Sequence, residues 1–296
     1  MSIVYGPVPS WRLGRSLGID PILPPKTCTF DCIYCQLGRT INKVSSPLET
    51  YRVDENSLRK ELLQKLNEVD IKSINVVTFS GSGEPTLNPH LGNMIKCVKD
   101  LIPEIPVAVL TNSSLLHIDA VRKSLSNADI VVAKLDAGDQ ETFVLINRPA
   151  SGIPNIREII KNLRIFKESF SGVLAIQIML VEISEGEKTN VDPDALNAII
   201  EAVRIIDPDE VQVNTPTRPP SEHYVLPVKE SIIAQVKEKF ESMGIKNVLA
   251  IGIKERTPIF RKVLMKEVEM AEREILELLK RRPCRVIDIH LNHNHR

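Results

Sequence analysis

Three cysteines, Cys28, Cys32 and Cys35, fall within the eight residues 28–35, in the run Lys26-Thr-Cys-Thr-Phe-Asp-Cys-Ile-Tyr-Cys. A [4Fe–4S] cluster normally takes four cysteine thiolates. Three thiolates at C-x3-C-x2-C spacing would leave one iron open to a non-protein ligand. The competing readings are buried structural cysteines and a zinc site, which wants a fourth Cys or His and typically a second C-x2-C pair. Prolines and polar residues flank the run, and the remaining cysteines, Cys97 and Cys284, stand far from it. A disulfide framework belongs to small secreted domains, whereas this sequence has 296 residues and reads as lacking an apolar leader.

Such a loop needs a scaffold, and the pattern after it is regular. An extended, Pro-rich entry runs through Leu23, and short β-branched stretches then alternate with helical periodicity. Helices are expected over 54–70, with Asp54 as N-cap, and over 91–101, 119–125, 156–167, 194–206 and 229–243. Strands are expected over 74–79, 107–110, 130–135, 174–181, 210–213 and 247–251. Repeated strand–helix units with nearly continuous apolar strands imply a parallel sheet covered by helices, joined by right-handed crossovers. Periodicity alone does not separate a barrel from an open doubly wound sheet. In α/β barrels the functional groups gather at the C-terminal ends of the strands.

The strand ends here are polar. The first leads into Ser80-Gly-Ser-Gly-Glu-Pro, where Gly81 and Gly83 would permit positive φ and close backbone approach to a ligand. The second ends in Thr111-Asn112-Ser113-Ser114, which offers either ligand contacts or a helix-cap cluster. Lys134 and Asp136 close the third. The runs 139–149 and 214–220 contain Arg148 and Arg218, whose planar guanidinium suits carboxylate or phosphate, so these two are candidates for anchoring substrate, with rim salt bridges as the alternative.

The cysteine run, followed one β/α unit later by Ser82-Gly-Glu-Pro85, resembles the radical SAM enzymes, whose motif at that place is Gly-Gly-Glu-Pro. The resemblance implies a partial (β/α)6 TIM-like barrel with the cluster loop after its first strand. It implies a [4Fe–4S] cluster on Cys28, Cys32 and Cys35 whose open iron is chelated by the amino and carboxylate groups of S-adenosylmethionine. In that family an electron from the cluster cleaves the sulfonium, and the 5′-deoxyadenosyl radical abstracts hydrogen from a substrate. Carried over by position, Ser82, Gly83, Glu84 and Pro85 would hold the ammonium group, Asp136 the ribose or carboxylate, and Tyr34 would lie near the adenine. Thr111 and Asn112 join them as strand-end cofactor contacts.

The phrases at 6–18, 24–36, 135–137 and 146–149 further resemble a prokaryotic group of Fe–S oxidoreductases related to the archaeal wyosine-type tRNA-modifying enzymes, over roughly residues 1–255. The wyosine synthases hold a second cluster on additional N-terminal cysteines, and no cysteine precedes Cys28 here.

Composition bounds the rest. With 38 basic and 38 acidic residues the net charge is zero, so no global field favours nucleic acid or membrane, although Arg12, Arg15, Lys26, Arg39, Lys43 and Arg52 make the N-terminal segment locally basic. No apolar run approaches the ~20 residues that span a bilayer, and a cytoplasmic protein is expected. Residues 1–255 read as the barrel. Residues 256–296 read as a helical tail resembling the start of a truncated helix-turn-helix or winged-helix unit, with His290, His293 and His295 near its end. The expected function is reductive cleavage of S-adenosylmethionine followed by hydrogen abstraction from a tRNA, a peptide or a small metabolite, with a ferredoxin or flavodoxin supplying the electron. The alternative from another class is a redox-sensing, nucleic-acid-binding regulator.

Overall fold

The computed structural model describes residues 2–250 except 11, 50, 52, 185, 187 and 246, together with Leu276 and Leu279. The C-terminal tail expected over 256–296 otherwise lies outside the described residues.

The extended entry is a hairpin of two strands, β1 (Val4–Ser10) and β2 (Gly14–Ile19). Two short strands, β3 (Thr27–Cys28) and β4 (Asn42–Lys43), pair in parallel beside it. The chain then alternates through α1 (Glu55–Glu68), β5 (Val76–Phe79), α2 (Leu91–Leu101), β6 (Val107–Thr111), α3 (Asp119–Leu125) and β7 (Ile130–Lys134). The run 139–149, not expected to be regular, contains a helix, α4 (Gln140–Asn147), ahead of α5 (Ile156–Ser169). The strand expected over 174–181 is divided at Leu180 into β8 (Val173–Met179) and β9 (Val181–Ile183). The order closes with α6 (Pro193–Ile206), β10 (Glu210–Asn214), β11 (Val225–Pro227), α7 (Glu230–Ser242) and β12 (Val248–Ala250).

The main sheet runs β1-β2-β5-β6-β7-β8-β10-β12, parallel throughout except for β1 against β2. Strand order follows chain order without reversing. A doubly wound sheet must reverse at a switch point, so with right-handed crossovers every connection here falls on one face. The result is an open, partial barrel of the expected class, in which β2 is the first parallel strand and the cysteine segment follows it. The N-terminal hairpin escaped the sequence pattern because prolines and glycines break its alternation.

Two-residue alternation sorts the side chains. Leu17, Val77, Phe79, Val109, Val131, Ile176 and Val213 belong to the apolar core shared with the helices. The opposite face is partly polar. Ser16 Oγ donates to Thr78 Oγ1 at 2.7 Å, and Gln177 Nε2 donates to Gln212 Oε1 at 3.1 Å. Lys134, Gln177 and Gln212 share one register row across β7, β8 and β10. Arg12, in the hairpin turn, reaches the same row by donating to Gln212 Oε1 at 3.4 Å. Among the described residues no helix is long and apolar enough to cross a membrane.

Helix α1 starts where the sequence places it. The Asp54 carboxylate accepts from Ser57 N at 2.8 Å while Ser57 Oγ accepts from Asp54 N at 3.0 Å, a reciprocal cap. The Ser57 amide and hydroxyl hold the Asp54 carboxyl below its usual range. Asp54→Ala is expected to cost about 1 kcal/mol in urea unfolding at neutral pH, and Asp54→Asn much less. Because the folded pKa is lowered, this stabilisation is present above the unfolded carboxylate pKa and is lost as pH falls through the folded one. The gap between wild type and Asp54→Ala should therefore close in acid.

Candidate functional site

The cysteine segment has little regular structure, and its backbone is satisfied by neighbours on both sides. At its entry Asp20, fully buried at the end of β2, accepts from Ile22 N at 3.0 Å, Leu23 N at 2.9 Å and Ser82 N at 3.1 Å, and from Ser82 Oγ at 2.7 Å. Thr27 then bridges Gly83: Thr27 N donates to Ser82 O at 3.2 Å, and Glu84 N donates to Thr27 O at 3.1 Å. On the far side Asp31 N donates to Asn147 O at 3.0 Å, Ile33 N to Ile146 O at 3.0 Å and Ala150 N to Thr29 O at 2.8 Å. The loop closes on itself through Thr40 N, which donates to Asp31 Oδ1 at 2.7 Å.

Within this framing each of the three thiols has a nitrogen donor beside it. Asn112 Nδ2, after β6, donates to Cys28 Sγ at 3.5 Å. Asn147 Nδ2, at the end of α4, donates to Cys32 Sγ at 3.5 Å. Lys26 Nζ lies 3.2 Å from Cys35 Sγ. All three cysteines are free and partly buried. Burial, reinforced by Glu84 and Cys32, pushes the Cys28 thiol well up. Burial, with Asp136 and Cys35, pushes Cys32 up to about 12. A bound metal inverts that logic, since a coordinating thiol is deprotonated outright. Among the described residues no three His, Cys, Asp or Glu side chains are gathered closely enough for a single metal ion.

The loop after β5 departs from expectation in its details. Gly81 and Gly83 do not have positive φ. They are glycine because of crowding: a Cβ at Gly81 would sit 2.1 Å from Asp20 Cγ, and one at Gly83 only 1.8 Å from the Thr27 carbonyl oxygen. The Glu84 carboxylate is engaged by its neighbours. Its Oε1 accepts from Thr86 N at 3.1 Å, Thr86 Oγ1 at 2.7 Å and Thr111 Oγ1 at 2.7 Å, while Oε2 accepts from Asn112 N at 2.7 Å. Three of the four donors converge on Oε1 and one on Oε2, which keeps one acceptor site. Burial raises the Glu84 pKa, and the four hydrogen bonds pull against that rise. Glu84 therefore ties the short 3-10 helix Pro85–Leu87 to the end of β6, and the Thr111 hydroxyl belongs to that brace. Ser113 and Ser114 do not cap α3 either: Ser113 Oγ donates to Lys134 O at 3.0 Å, and Ser114 Oγ shares a 2.7 Å bond with Thr29 Oγ1.

Asp136 is likewise an internal brace rather than an open contact. Its side chain is buried and accepts from the Tyr34 hydroxyl, from Asn147 Nδ2 at 2.8 Å and from Met179 N at 2.9 Å, with Lys134 Nζ at 3.3 Å. Lys134 Nζ also stands 4.9 Å from the Tyr34 ring centroid. Tyr34 thus sits beside the cysteines with its hydroxyl committed to Asp136. Arg148, a substrate candidate, instead clamps the rim: Nη1 donates to Glu222 Oε1 at 2.6 Å and Nη2 to the Tyr224 hydroxyl at 2.6 Å. Arg218 Nη1 donates to Gln36 Oε1 at 2.9 Å, next to Cys35. Sequence reasoning missed Asn147, Asp20, Glu222 and Asn214, and gave Lys26 no place at the sulfurs. Asn147 carried a weak signal, in the Asn-Arg-Pro phrase that closes α4. Asn214 ends β10 with its Oδ1 buried and without a hydrogen-bond partner among the described residues.

The sequence profile of the Radical SAM superfamily matches residues 22–189, more than half of the chain, and the chain belongs to that superfamily. Its members are enzymes that bind a [4Fe–4S] cluster and S-adenosylmethionine, and the chain is an enzyme of that class. A UPF0026 protein of Methanocaldococcus jannaschii is 34% identical over 251 residues, covering 85% of this chain and 75% of that one. A UPF0026 protein of Synechocystis sp. is 39% identical over 216 residues, covering 73% and 76%. Among solved structures the fold is similar to SuiB of Streptococcus suis bound to S-adenosylmethionine, with a TM-score of 0.56 at 14% identity over 79% of this chain and 50% of that one. It is also similar to a radical SAM methyltransferase from Sphaerobacter thermophilus, with a TM-score of 0.58 at 13% identity over 80% of this chain and 65% of that one. The chain thus spans 50–65% of those two proteins.

Glu84→Gln separates brace from ligand. The substitution sets an amide NH2 against the buried Thr86 or Asn112 N–H, and the iron-free chain is expected to lose about 1–3 kcal/mol in urea unfolding. Unchanged stability together with weakened S-adenosylmethionine binding would restore a direct contact.

Proposed function

We propose that Cys28, Cys32 and Cys35 hold the [4Fe–4S] cluster of this enzyme and that the S-adenosylmethionine site lies beside it, along the loop 80–85 and Asn112. The observation that carries this reading is the set of three N–H donors, one to each sulfur: Asn112 after β6, Asn147 at the end of α4 and Lys26 in the cysteine segment itself. Hydrogen bonds to cluster sulfurs tune the reduction potential and orient the ligands. When bound, the cluster supplies the electron that cleaves S-adenosylmethionine reductively.

The protein's own residues do the positioning. The Lys26 ammonium beside Cys35 offsets negative charge from the thiolates. Asn112 and Asn147 fix the orientation of Cys28 and Cys32. The Glu84 and Asp136 braces hold the ends of β6 and β7 in place.

On the substrate side, Asn214 offers a buried acceptor at the rim of β10, suited to an N–H or O–H donor of the substrate. Arg218 ties the segment 214–224 to Gln36 of the cysteine loop, and Arg148 ties Glu222 and Tyr224 to the end of α4. Of the locally basic stretch, Arg12 donates to Gln212 and Lys26 to Cys35, while Arg39 and Lys43 are exposed. The reading therefore extends to the reaction class and leaves tRNA, peptide and small metabolite as substrates for experiment.

Anaerobic reconstitution is expected to give about four irons per chain, the [4Fe–4S] stoichiometry. Dithionite should then drive formation of 5′-deoxyadenosine from S-adenosylmethionine. Cys32→Ala should lose both signals, and a Cys32→Ala protein that kept its iron and its turnover would overturn the assignment.

A further inference from the structure

A lysine normally keeps its ammonium in water while its methylene stem lies against the protein. Lys26 departs from that habit: the whole residue is 8% exposed. Its Nζ donates to Gly38 O at 2.5 Å and to Cys35 Sγ at 3.2 Å. Neither partner is a carboxylate, and neither carries charge while the thiol is protonated. A buried ammonium held only by a carbonyl and a neutral thiol is costly. The same ammonium beside a thiolate is paired. Its position is fixed through the backbone, since Asn42 N donates to Lys26 O at 3.0 Å and the next residue, Thr27, is held by Ser82 and Glu84.

The three sulfurs differ in their surroundings. Asn112 and Asn147 reach Cys28 and Cys32 through neutral amides, each at 3.5 Å, whereas Cys35 receives its shorter contact from a full charge. Carboxylates stand behind the first two, Glu84 acting on Cys28 and Asp136 on Cys32. The other lysine of this neighbourhood, Lys134, has its Nζ 3.3 Å from Asp136 Oδ1 and is committed to that carboxylate. Of the side-chain donors to the three sulfurs among the described residues, Lys26 is thus the charged one. The site is polarised, with acids behind Cys28 and Cys32 and a cation at Cys35.

We propose that Lys26 is the residue that raises the reduction potential of the cluster, by placing one buried positive charge against the sulfur of Cys35. The proposal rests on the reading that Cys28, Cys32 and Cys35 hold the cluster, and it adds which side chain governs how readily that cluster is reduced. Reduction brings in one electron from the reductant, and no bond forms or breaks. The added negative charge is stabilised by the cation at 3.2 Å. Away from bulk water that attraction acts through a low effective dielectric and is little screened by salt. Charge-assisted hydrogen bonds are also roughly twice as strong as neutral ones, so Lys26 outweighs either amide. The rival role is mechanical, a strut tying residue 26 to the loop at Gly38. A neutral side chain that hydrogen-bonds can replace a strut but not a charge.

The test uses the full chain, reconstituted anaerobically, as wild type, Lys26→Gln, Lys26→Met, Lys26→Arg and, on α5, Lys161→Gln, whose lysine side chain is 66% exposed. The midpoint potential of the cluster is read by redox titration followed by electron paramagnetic resonance, at low and high salt. Urea unfolding is read on the iron-free proteins. Lys26→Gln and Lys26→Met are each expected to lower the ratio of reduced to oxidised cluster at a fixed potential at least tenfold, which is about 59 mV for a one-electron couple, at both salt concentrations. Lys26→Arg, which keeps the charge, and Lys161→Gln should stay near wild type, and iron-free Lys26→Met should be no less stable than wild type. A Lys26→Gln potential equal to that of wild type would overturn the proposal. So would a Lys26→Gln protein that takes up no iron where Lys26→Arg does, since the charge would then act in assembly. A loss of iron-free stability in Lys26→Met that Lys26→Gln restores would overturn it in favour of the strut. Absence of iron from the reconstituted wild type would instead strike the cluster reading itself, a result distinct from any difference among the variants.

Discussion

A loop can present three sulfurs in a fixed arrangement only if its own backbone polar groups are satisfied elsewhere, because an unpaired buried N–H or C=O costs as much as a lost hydrogen bond. Here the satisfaction comes from two flanks at once. Thr27 pairs with Ser82 and Glu84 on one side, while Asp31, Ile33 and Thr29 pair with 146–150 on the other. The first of these contacts is possible because residue 83 has no side chain, its missing Cβ lying 1.8 Å from the Thr27 oxygen. The glycine that looks from sequence like a place for a ligand is, in the fold, the place where the cysteine strand itself comes closest.

Two buried carboxylates carry this framing into the sheet. Burying a charge is costly unless it is paired and hydrogen-bonded. Glu84 meets that condition with four donors from 86, 111 and 112, and Asp136 meets it with Tyr34, Lys134, Asn147 and Met179. Each spans elements that are distant in sequence, so each fixes a strand end relative to the cysteine loop. Both are one residue removed from a cysteine: Asn112 joins Glu84 to Cys28, and Asn147 joins Asp136 to Cys32. Positional accuracy at the sulfurs thus descends from carboxylates that never touch them.

Much of this was legible in the sequence, and the illegible part has a physical cause. Helices α2 and α3 begin and end where apolar spacing and loop residues place them, and the strand–helix alternation defines a parallel sheet. The barrel topology was not readable from periodicity, because strand order is a tertiary property; the family resemblance supplied it. At the site, residue types pointed correctly to a neighbourhood and less well to roles. Glu84 and Asp136 are acids at strand ends, but only the fold reveals the four partners each of them engages. Asn147 and Lys26 were overlooked because a lone amide or lysine has no spacing signature. Their importance comes from what lies opposite them across 115 and 9 residues of chain.

The two amides that reach the sulfurs share one further feature. Asn112 is followed by Ser113 at φ 71°, and Asn147 by Arg148 at φ 44°, two of the four non-glycine residues with positive φ among those described. A left-handed residue costs free energy when it is not glycine, on the order of 1 kcal/mol. In both places it ends a regular element abruptly, β6 in one case and α4 in the other, and turns the chain away directly after the amide. The Asn is then left at the tip of an element, pinned by its own backbone contacts, with its side chain free to face the loop. Ser113 is held in this conformation by its bond to Lys134 O, and Arg148 by Glu222 and Tyr224. On this view the Arg148 clamp, sought as a substrate anchor, acts one step back: it stabilises the turn that aims Asn147 at Cys32.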